Sequence, residues 1–464
     1  MSAQDAAGLE RLREFAVNDY HFYCETMDLT RPFPSAEDVL GYDPEWCWNH
    51  WLTSAFEDAG MRLWCPVLLQ GLFCSKTIRF GAAAADAISV ALISRKSIAN
   101  PGTRYNARGL NAVGGVGNEI ESELITWWGD EESGCGKFST LLCRRGTVPV
   151  NWKHELHSSV TAPRIVVSDA PYEGVDDYYE GVHERYGGRP MVIVNLLRCD
   201  TESGETTLSE TFQQSLREAR QRLEARKGKV QELTMCNFDW HRLKKELGMD
   251  TSIKGLWERL RPHLEQSGLT EGMWGPGGLE VERRQATVLR YNCADSLDRT
   301  NLCIFMVTQQ VLLEQCRRLG KGVVEQAAVM HVPSLDDRQK VEWVYLHSLD
   351  LPDVRSVLHK RVLEWLAEAF VRNGDVMSHL YTNTPALLTN VMRDYTQLPL
   401  QQSDLVLTTQ RRFENVLKDT ERQCQYSLFL GRHLSTLLPS QAAPAHDLLS
   451  HPGGFLHSAP PSAD

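Results

Sequence analysis

The stretch Arg290-Tyr291-Asn292-Cys293-Ala294-Asp295-Ser296-Leu297-Asp298-Arg299-Thr300-Asn301 sets a cysteine six residues before an arginine, with a threonine directly after it. It is entered through Thr287-Val288-Leu289, whose β-branched and apolar side chains predict a strand running to Tyr291. It is left through the apolar run Leu302 to Leu313, which predicts a helix. Strand, short loop and helix N-terminus in that order make an anion site, because the first amides of a helix have no partner within it. The spacing can gather a thiol, the backbone N–H groups of residues 294 to 299 and a guanidinium around one tetrahedral ligand. A thiolate attacks phosphorus well only when its pKa is depressed, and arginine, oriented amides and a helix N-terminus all depress it. The stretch therefore points to an α/β fold and to a cysteine-dependent phosphatase.

Spacing alone is weak support. Cys236-Asn237-Phe238-Asp239-Trp240-His241-Arg242 repeats it, with Leu243 where the first string has Thr300. Bulky Phe238 and Trp240 hinder successive amides from converging on one oxyanion, so Cys236 reads as an ordinary buried thiol. The 293–299 loop contains no glycine, which usually eases a tight anion nest.

Further support comes from resemblance. The 290–301 string resembles the signature of the Sac-domain phosphoinositide phosphatases, Arg-Thr-Asn-Cys-x-Asp-x-Leu-Asp-Arg-Thr-Asn, with Tyr291 where threonine is usual. Other blocks are similar to the same family in the same order. They are Phe22 to Thr30, ending Asp28-Leu29-Thr30; Ile93 to Gly109 with Asn118-Glu119-Ile120-Glu121; Arg145-Gly146-Thr147-Val148-Pro149-Val150-Asn151-Trp152; Phe238 to His241; and Asn373-Gly374-Asp375. The resemblance covers residues from about 15 to 428 and implies a Sac-type phosphatase domain with a mixed, largely buried sheet flanked by helices. About twenty residues precede the Asp-Leu-Thr block, fewer than the family usually has, so a shortened N-terminal subdomain is expected. Residues 1–14 read as a polar lead-in, and 429–464, rich in Pro, Ser and Ala beyond Pro439, as a disordered tail.

In this reading Cys293 attacks phosphorus in line to give a phosphocysteine, and Arg299 holds two equatorial oxygens with its planar fork. Amides of Ala294, Asp295, Ser296, Leu297, Asp298 and Arg299 complete the cradle. Thr300 is expected to donate its hydroxyl to the Cys293 thiolate. A general acid must protonate the departing inositol oxygen, and a base must then activate water. Asp295 is the better candidate, because Asp298 adjoins Arg299 and orients it; either can instead cap loop amides. Asn106, Arg108, Asp239, His241, Asn373 and Asp375 lie in the shared blocks as candidates for headgroup contact or loop support. This chemistry needs no metal or other cofactor, since Arg299 and the amides supply the positive charge. The implied substrates are phosphatidylinositol monophosphates, at the 4- or 3-phosphate. The competing readings are a phosphatase acting on phosphotyrosine or soluble inositol phosphates, and a catalytically weak lipid-binding scaffold.

Composition fits an ordinary globular protein: 464 residues, 42% hydrophobic, 23% charged, net charge −11. No apolar run reaches the roughly 18–20 residues of a membrane span, and Met1-Ser2-Ala3-Gln4-Asp5 lacks the start of a secretory signal. Twelve cysteines without paired spacing read as reduced thiols. A cytoplasmic protein, peripheral at endomembranes and without nucleic-acid contacts, is the resulting expectation. Two locally basic stretches, Arg217 to Lys229 and Arg317 to Lys321, are candidates for acidic headgroups or are helix faces laced with ion pairs. His154 and His157 lack further ligands for a metal site.

Along the chain, strands are expected at Val67–Leu69, Ile88–Ile93, Ile165–Val167 and Met191–Leu196. Helices are expected at Glu210–Lys227, ended by Gly228, and at Ile253–Arg261, stopped by Pro262. Residues 320–340 and 396–405 read as connecting loops. Gly134-Cys135-Gly136-Lys137 lacks the hydroxyl of a nucleotide-binding loop, and Gly114-Gly115-Val116-Gly117 lacks the dinucleotide spacing; both read as turns.

Overall fold

Strands β1 (His21–Phe22), β2 (Leu69–Arg79), β3 (Ala87–Lys96), β4 (Ile120–Asp130) and β5 (Cys135–Gly146) follow α1 (His50–Asp58) or flank it in the computed structural model, and they pair antiparallel in chain order. The structure describes residues 10, 13, 15, 17–35, 41–79, 87–130, 133–155, 164–199, 204–227, 232–320, 358–394, 396 and 398–432. Most of the expected lead-in, His157, Gly228, Lys229, the loop beyond Gly320 and the tail from Pro439 lie outside them.

β6 (Trp152–Glu155) and β7 (Arg164–Val167) form a separate two-stranded sheet. The expected strand at Ile165–Val167 is therefore real but misplaced: it is only half-buried and does not join the main sheet. α2 (Val175–Arg185) leads to β8 (Met191–Asn195), α3 (Gly204–Lys227) to β9 (Leu233–Asn237), and α4 (Trp240–Leu247) and α5 (Met249–Ser267) to the hairpin β10 (Thr270–Gly275) and β11 (Gly278–Arg283). β12 (Val288–Asn292) then runs parallel between β5 and β8, and β8 runs parallel to β9. The helices α6 (Asp298–Arg318), α7 (Lys360–Thr382), α8 (Asn390–Arg393) and α9 (Asp404–Phe429) complete the fold.

β5 joins the two halves of the ten-stranded sheet. Its first half pairs antiparallel with β10, and its last residues pair parallel with β12. The expected turn at Gly134 to Lys137 is confined to its start, since Cys135 already begins the strand. Gly136 is needed there because a Cβ would come within 2.0 Å of the Trp274 ring. β4 and β5 carry Glu121, Ser122, Glu123, Ser139, Arg144 and Arg145, a pattern that reads as surface, yet all of these side chains are buried. Ion pairs replace apolar contact: Arg95 on β3 reaches Glu121 at 3.0 Å and Glu123 at 2.8 Å.

α5 continues through Pro262 instead of stopping before it. Leu260 and Leu264 on either side are fully buried, and burial of that stripe outweighs the roughly 3 kcal/mol that an internal proline costs. α6 is the central helix: every residue from Thr300 to Cys316 is buried against the sheet and α7.

Candidate active site

β12 ends at Asn292, and the 293–297 loop feeds α6 directly. The loop thus sits beyond the carboxyl ends of the parallel strands, where open α/β sheets place their ligands. Parallel neighbours on both sides fix β12 along its whole length, so the position of Cys293 follows from the sheet register.

The loop is shaped by its carbonyls. The Ala294 oxygen accepts from Arg108 Nη1. The Asp295 and Ser296 oxygens accept from Asn118 Nδ2 at 2.9 and 3.3 Å. The Leu297 oxygen accepts from Arg145 Nη1 at 3.0 Å and from the Thr300 hydroxyl at 3.1 Å. Four consecutive carbonyls are held by side chains, which leaves the amides to the other side, and the Ser296 N–H donates to Cys293 Sγ at 3.1 Å. Ser296 takes a left-handed conformation (φ 54°) in place of the glycine such a turn favours.

Arg299 presents its Nη1–Nη2 edge to Glu205 in a two-pronged pair at 2.8 and 2.7 Å, with a further bond from Nη1 to the Leu196 carbonyl at 2.9 Å. The Nε–H and the second N–H of Nη2 form an adjacent edge, along which a guanidinium can grip an oxyanion as well. On the other flank, Asp295 is held by Arg104 at 2.8 Å and by Arg108. Burial alone raises the Asp295 carboxyl, but the two guanidiniums more than reverse this and hold it well below the usual range. Asp295 in this arrangement is ionised, which fits the base half of its expected acid–base role and not the acid half. Asp298 accepts from the Leu387 N–H at 2.6 Å and pairs with Arg411 at 2.8 Å, so it anchors α9 and does not orient Arg299.

Two further expectations change. Burial raises the Cys293 pKa more than Arg299 lowers it, and the residue is 1% exposed, so the empty site favours the thiol over the thiolate. The Thr300 hydroxyl is used by the Leu297 carbonyl and Arg145, and does not donate to Cys293.

The remaining predicted residues divide. Arg108 belongs to the loop's support, and His241 stands on the Arg299 flank, where burial, then Arg299 and Arg198, hold its imidazole down to about 4. Asp239 caps α4 through the Arg242 N–H at 3.0 Å and also accepts from the Cys199 N–H. Asn373 donates to Asn301 at 3.0 Å, behind the first turn of α6. Asp375 accepts from the Ala386 N–H, and the exposed Asn106 donates to the Thr103 hydroxyl close by. Residues that sequence reasoning gave no role include Arg104, Arg145, Asn118 and Lys96. All four lie inside the quoted blocks, so their signal was present as charged and amide side chains among apolar and glycine residues. Glu205 and Arg411 carried no local signal.

Among the described residues, several arginines of the basic stretches are ion-paired. Arg222 meets Glu218 and Asp176, Arg226 meets Asp176, Asp177 and Glu180, and Arg317 and Arg318 meet Glu314. All twelve cysteines are free. Among the described residues no group of His, Cys, Asp and Glu could hold a metal ion, and no helix is long and apolar enough to cross a membrane.

The SacI homology domain family matches residues 2–245. The chain is similar to phosphoinositide phosphatase SAC3 of Arabidopsis thaliana, 24% identical over 460 residues covering 87% of this chain and 51% of that protein. It is also similar to phosphatidylinositol-3-phosphatase SAC1 of Saccharomyces cerevisiae, 24% identical over 453 residues covering 93% of this chain and 64% of that protein. Synaptojanin-1 of Homo sapiens is 30% identical over 282 residues, 60% of this chain and 16% of that protein. The chain spans about half the length of the first of these and less than two thirds of each.

Proposed function

The chain belongs to the SacI homology domain family, and from that membership we propose that it hydrolyses the phosphate monoester of phosphatidylinositol phosphates, at the 3- or 4-position, with Cys293 as nucleophile. The observation that carries this reading is the loop itself: four carbonyls tied outward, the Ser296 amide on Cys293 Sγ, and Arg299 fixed in its plane by Glu205. Such a site grips a tetrahedral dianion and places sulfur beneath it. The relatives whose names specify phosphatidylinositol-3-phosphatase and phosphoinositide phosphatase support the substrate class.

In the first step the sulfur–phosphorus bond forms and the bond from phosphorus to the inositol oxygen breaks. The thiol proton that Cys293 carries at rest ends on the departing oxygen. In the second step water attacks phosphorus, passes a proton to the ionised Asp295, and the sulfur leaves as a thiolate; the proton on Asp295 then returns to the sulfur and restores the thiol. Arg299 spans two equatorial oxygens throughout, along its Nε–Nη2 edge. Arg104 and Arg108 keep Asp295 a carboxylate, a weak base that takes the proton as the water turns acidic on bonding to phosphorus. The enzyme works at the surface of cytoplasmic endomembranes, where its lipid substrate lies.

The near-complete burial of Cys293 favours one alternative, a lipid-binding scaffold with little turnover. Phosphate release from a panel of phosphatidylinositol phosphates, soluble inositol phosphates and phosphopeptides separates the readings. Release from the lipids that Cys293→Ser abolishes supports the proposal. Vesicle binding without release supports the scaffold, and faster release from phosphopeptides contradicts the substrate class.

A further inference from the structure

Lys96 ends β3 with its side chain in the protein interior, 1% exposed. Its Nζ donates to Asn118 Oδ1 at 2.8 Å. The other end of the same amide, Asn118 Nδ2, is the group that holds the Asp295 and Ser296 carbonyls. A buried ammonium is thus one amide away from the turn that aims the Ser296 N–H at Cys293. Asparagine transmits this in one sense only, because its oxygen must accept from Lys96 while its nitrogen donates to the loop.

What faces Lys96 is unusual for a buried cation. Asn118 approaches from the segment before β4, Arg145 from β5, the Tyr381 ring from α7 at 5.4 Å, and Arg422 from α9. The charged groups that act on it are both cations, and no carboxylate is among them. Asp295 is matched with Arg104 and Arg108, Asp298 with Arg411, and Glu205 with Arg299, while Asp419 of α9, near Arg422 and the Tyr381 ring, is pushed up to about 6 by burial. Arg145 is only a little better off: its Nε and Nη2 are buried and without a hydrogen-bond partner, and the one carboxylate acting on it, Asp298, is paired with Arg411. A buried cation without a counter-charge is costly, and a dianion held in the loop supplies the missing charge to both.

We propose that Lys96 is a positioning residue for the anion site, acting through Asn118 on the 293–299 loop and gaining its proton as a tetrahedral dianion binds there. The inference rests on the loop being the anion site. Burial, then Arg422 and Arg145, lower the Lys96 ammonium to about 7, so near neutral pH the side chain is only partly protonated while the loop is empty. A dianion raises it again, and binding takes up a proton. Below pH 7 the lysine is already charged and affinity is flat. Above it each binding event must collect a proton, so affinity falls as pH rises.

Calorimetric titration with tungstate, a tetrahedral dianion that does not itself titrate near neutrality, tests this. The background is Cys293→Ser, which removes the thiol from the proton count; buffers of different ionisation enthalpy report the protons. Between pH 7 and 8.5 the Cys293→Ser protein should lose about tenfold in tungstate affinity, with proton uptake. Adding Lys96→Arg, which keeps a permanent charge, should abolish the uptake and hold affinity within about twofold across that range. Adding Lys96→Met should weaken binding at pH 7 about tenfold and remove the pH dependence; Lys96→Arg keeps the test available if the methionine variant does not fold. Identical pH dependence and proton uptake with and without the Lys96→Arg substitution would overturn the role of Lys96 while leaving the anion site in place. Failure of tungstate to bind, together with no phosphate release by the unaltered chain, would overturn both.

Discussion

Cys236 and Cys293 carry the same spacing to arginine and occupy related places, each at the carboxyl end of a parallel strand with a helix following. Their surroundings differ in every other respect. Cys236 lies within β9, opposite Val194, and Asp239 immediately caps α4. Arg242 is exposed and makes a loose pair with Glu246 at 3.9 Å. Cys293 lies past the end of its strand, in a loop whose carbonyls are held by Arg108, Asn118 and Arg145, and whose arginine is fixed by Glu205. Spacing is the same in both places, yet at Cys236 the arginine that acts on the thiol is Arg259 and not Arg242. Only where side chains from other strands take up the carbonyls can the amides face an anion.

The sharpest way to break this comparison is to remove each sulfur. Cys293→Ser should reduce phosphate release from phosphatidylinositol phosphates by at least about a thousandfold, whereas Cys236→Ser should stay within about twofold. Comparable losses from both would show that the loop's construction is irrelevant. Next in size, Arg299→Lys replaces a planar fork by a point charge and should lower kcat about a hundredfold; Arg242→Lys should leave steady-state kinetics unchanged.

A smaller effect, on stability, concerns the strand behind the loop. Glu119 is buried with Arg290 of β12 and Arg144 of β5, so Glu119→Gln leaves the buried Arg290 without its counter-charge and Arg144 with Glu45 alone. Denaturant unfolding should show a loss of about 3 kcal/mol. The pair beside β9 is exposed, and Glu246→Gln should cost less than about 0.5 kcal/mol.

The effect that is smallest at neutral pH grows as pH falls. Burial, then the Arg108 guanidinium, hold His154 down to about 3, below its unfolded value. The unfolded chain therefore binds the extra proton, and stability falls as pH drops from about 6.5 toward 3. His154→Leu should flatten that slope by at most about 1.4 kcal/mol per pH unit, read as melting temperature against pH.

How much of this could be read in the sequence depends on where partners lie along the chain. β12 and α6 were legible because their apolar runs are long and their burial is local. β4 and β5 were not, since Glu121, Glu123 and Arg144 look like surface until Arg95 and Glu119 are placed beside them. The same holds at the site. The loop residues stand together in one string, but Glu205 lies 94 positions from Arg299, and Arg411 lies 113 from Asp298. Nothing local marks either partner. Read from the string alone, Asp295 has the chemistry of an acid. Its charge state is set elsewhere, by Arg108 and by Arg104, which lies 191 positions away.

The measurement that goes most directly to the central claim is acid-quenched turnover of phosphatidylinositol 4-phosphate and phosphatidylinositol 3-phosphate followed by peptide mass spectrometry. A phosphate should be found on Cys293 during turnover and on no other cysteine. Continued phosphate release with Cys293 unmodified, or with the phosphate on Cys236, would contradict the account.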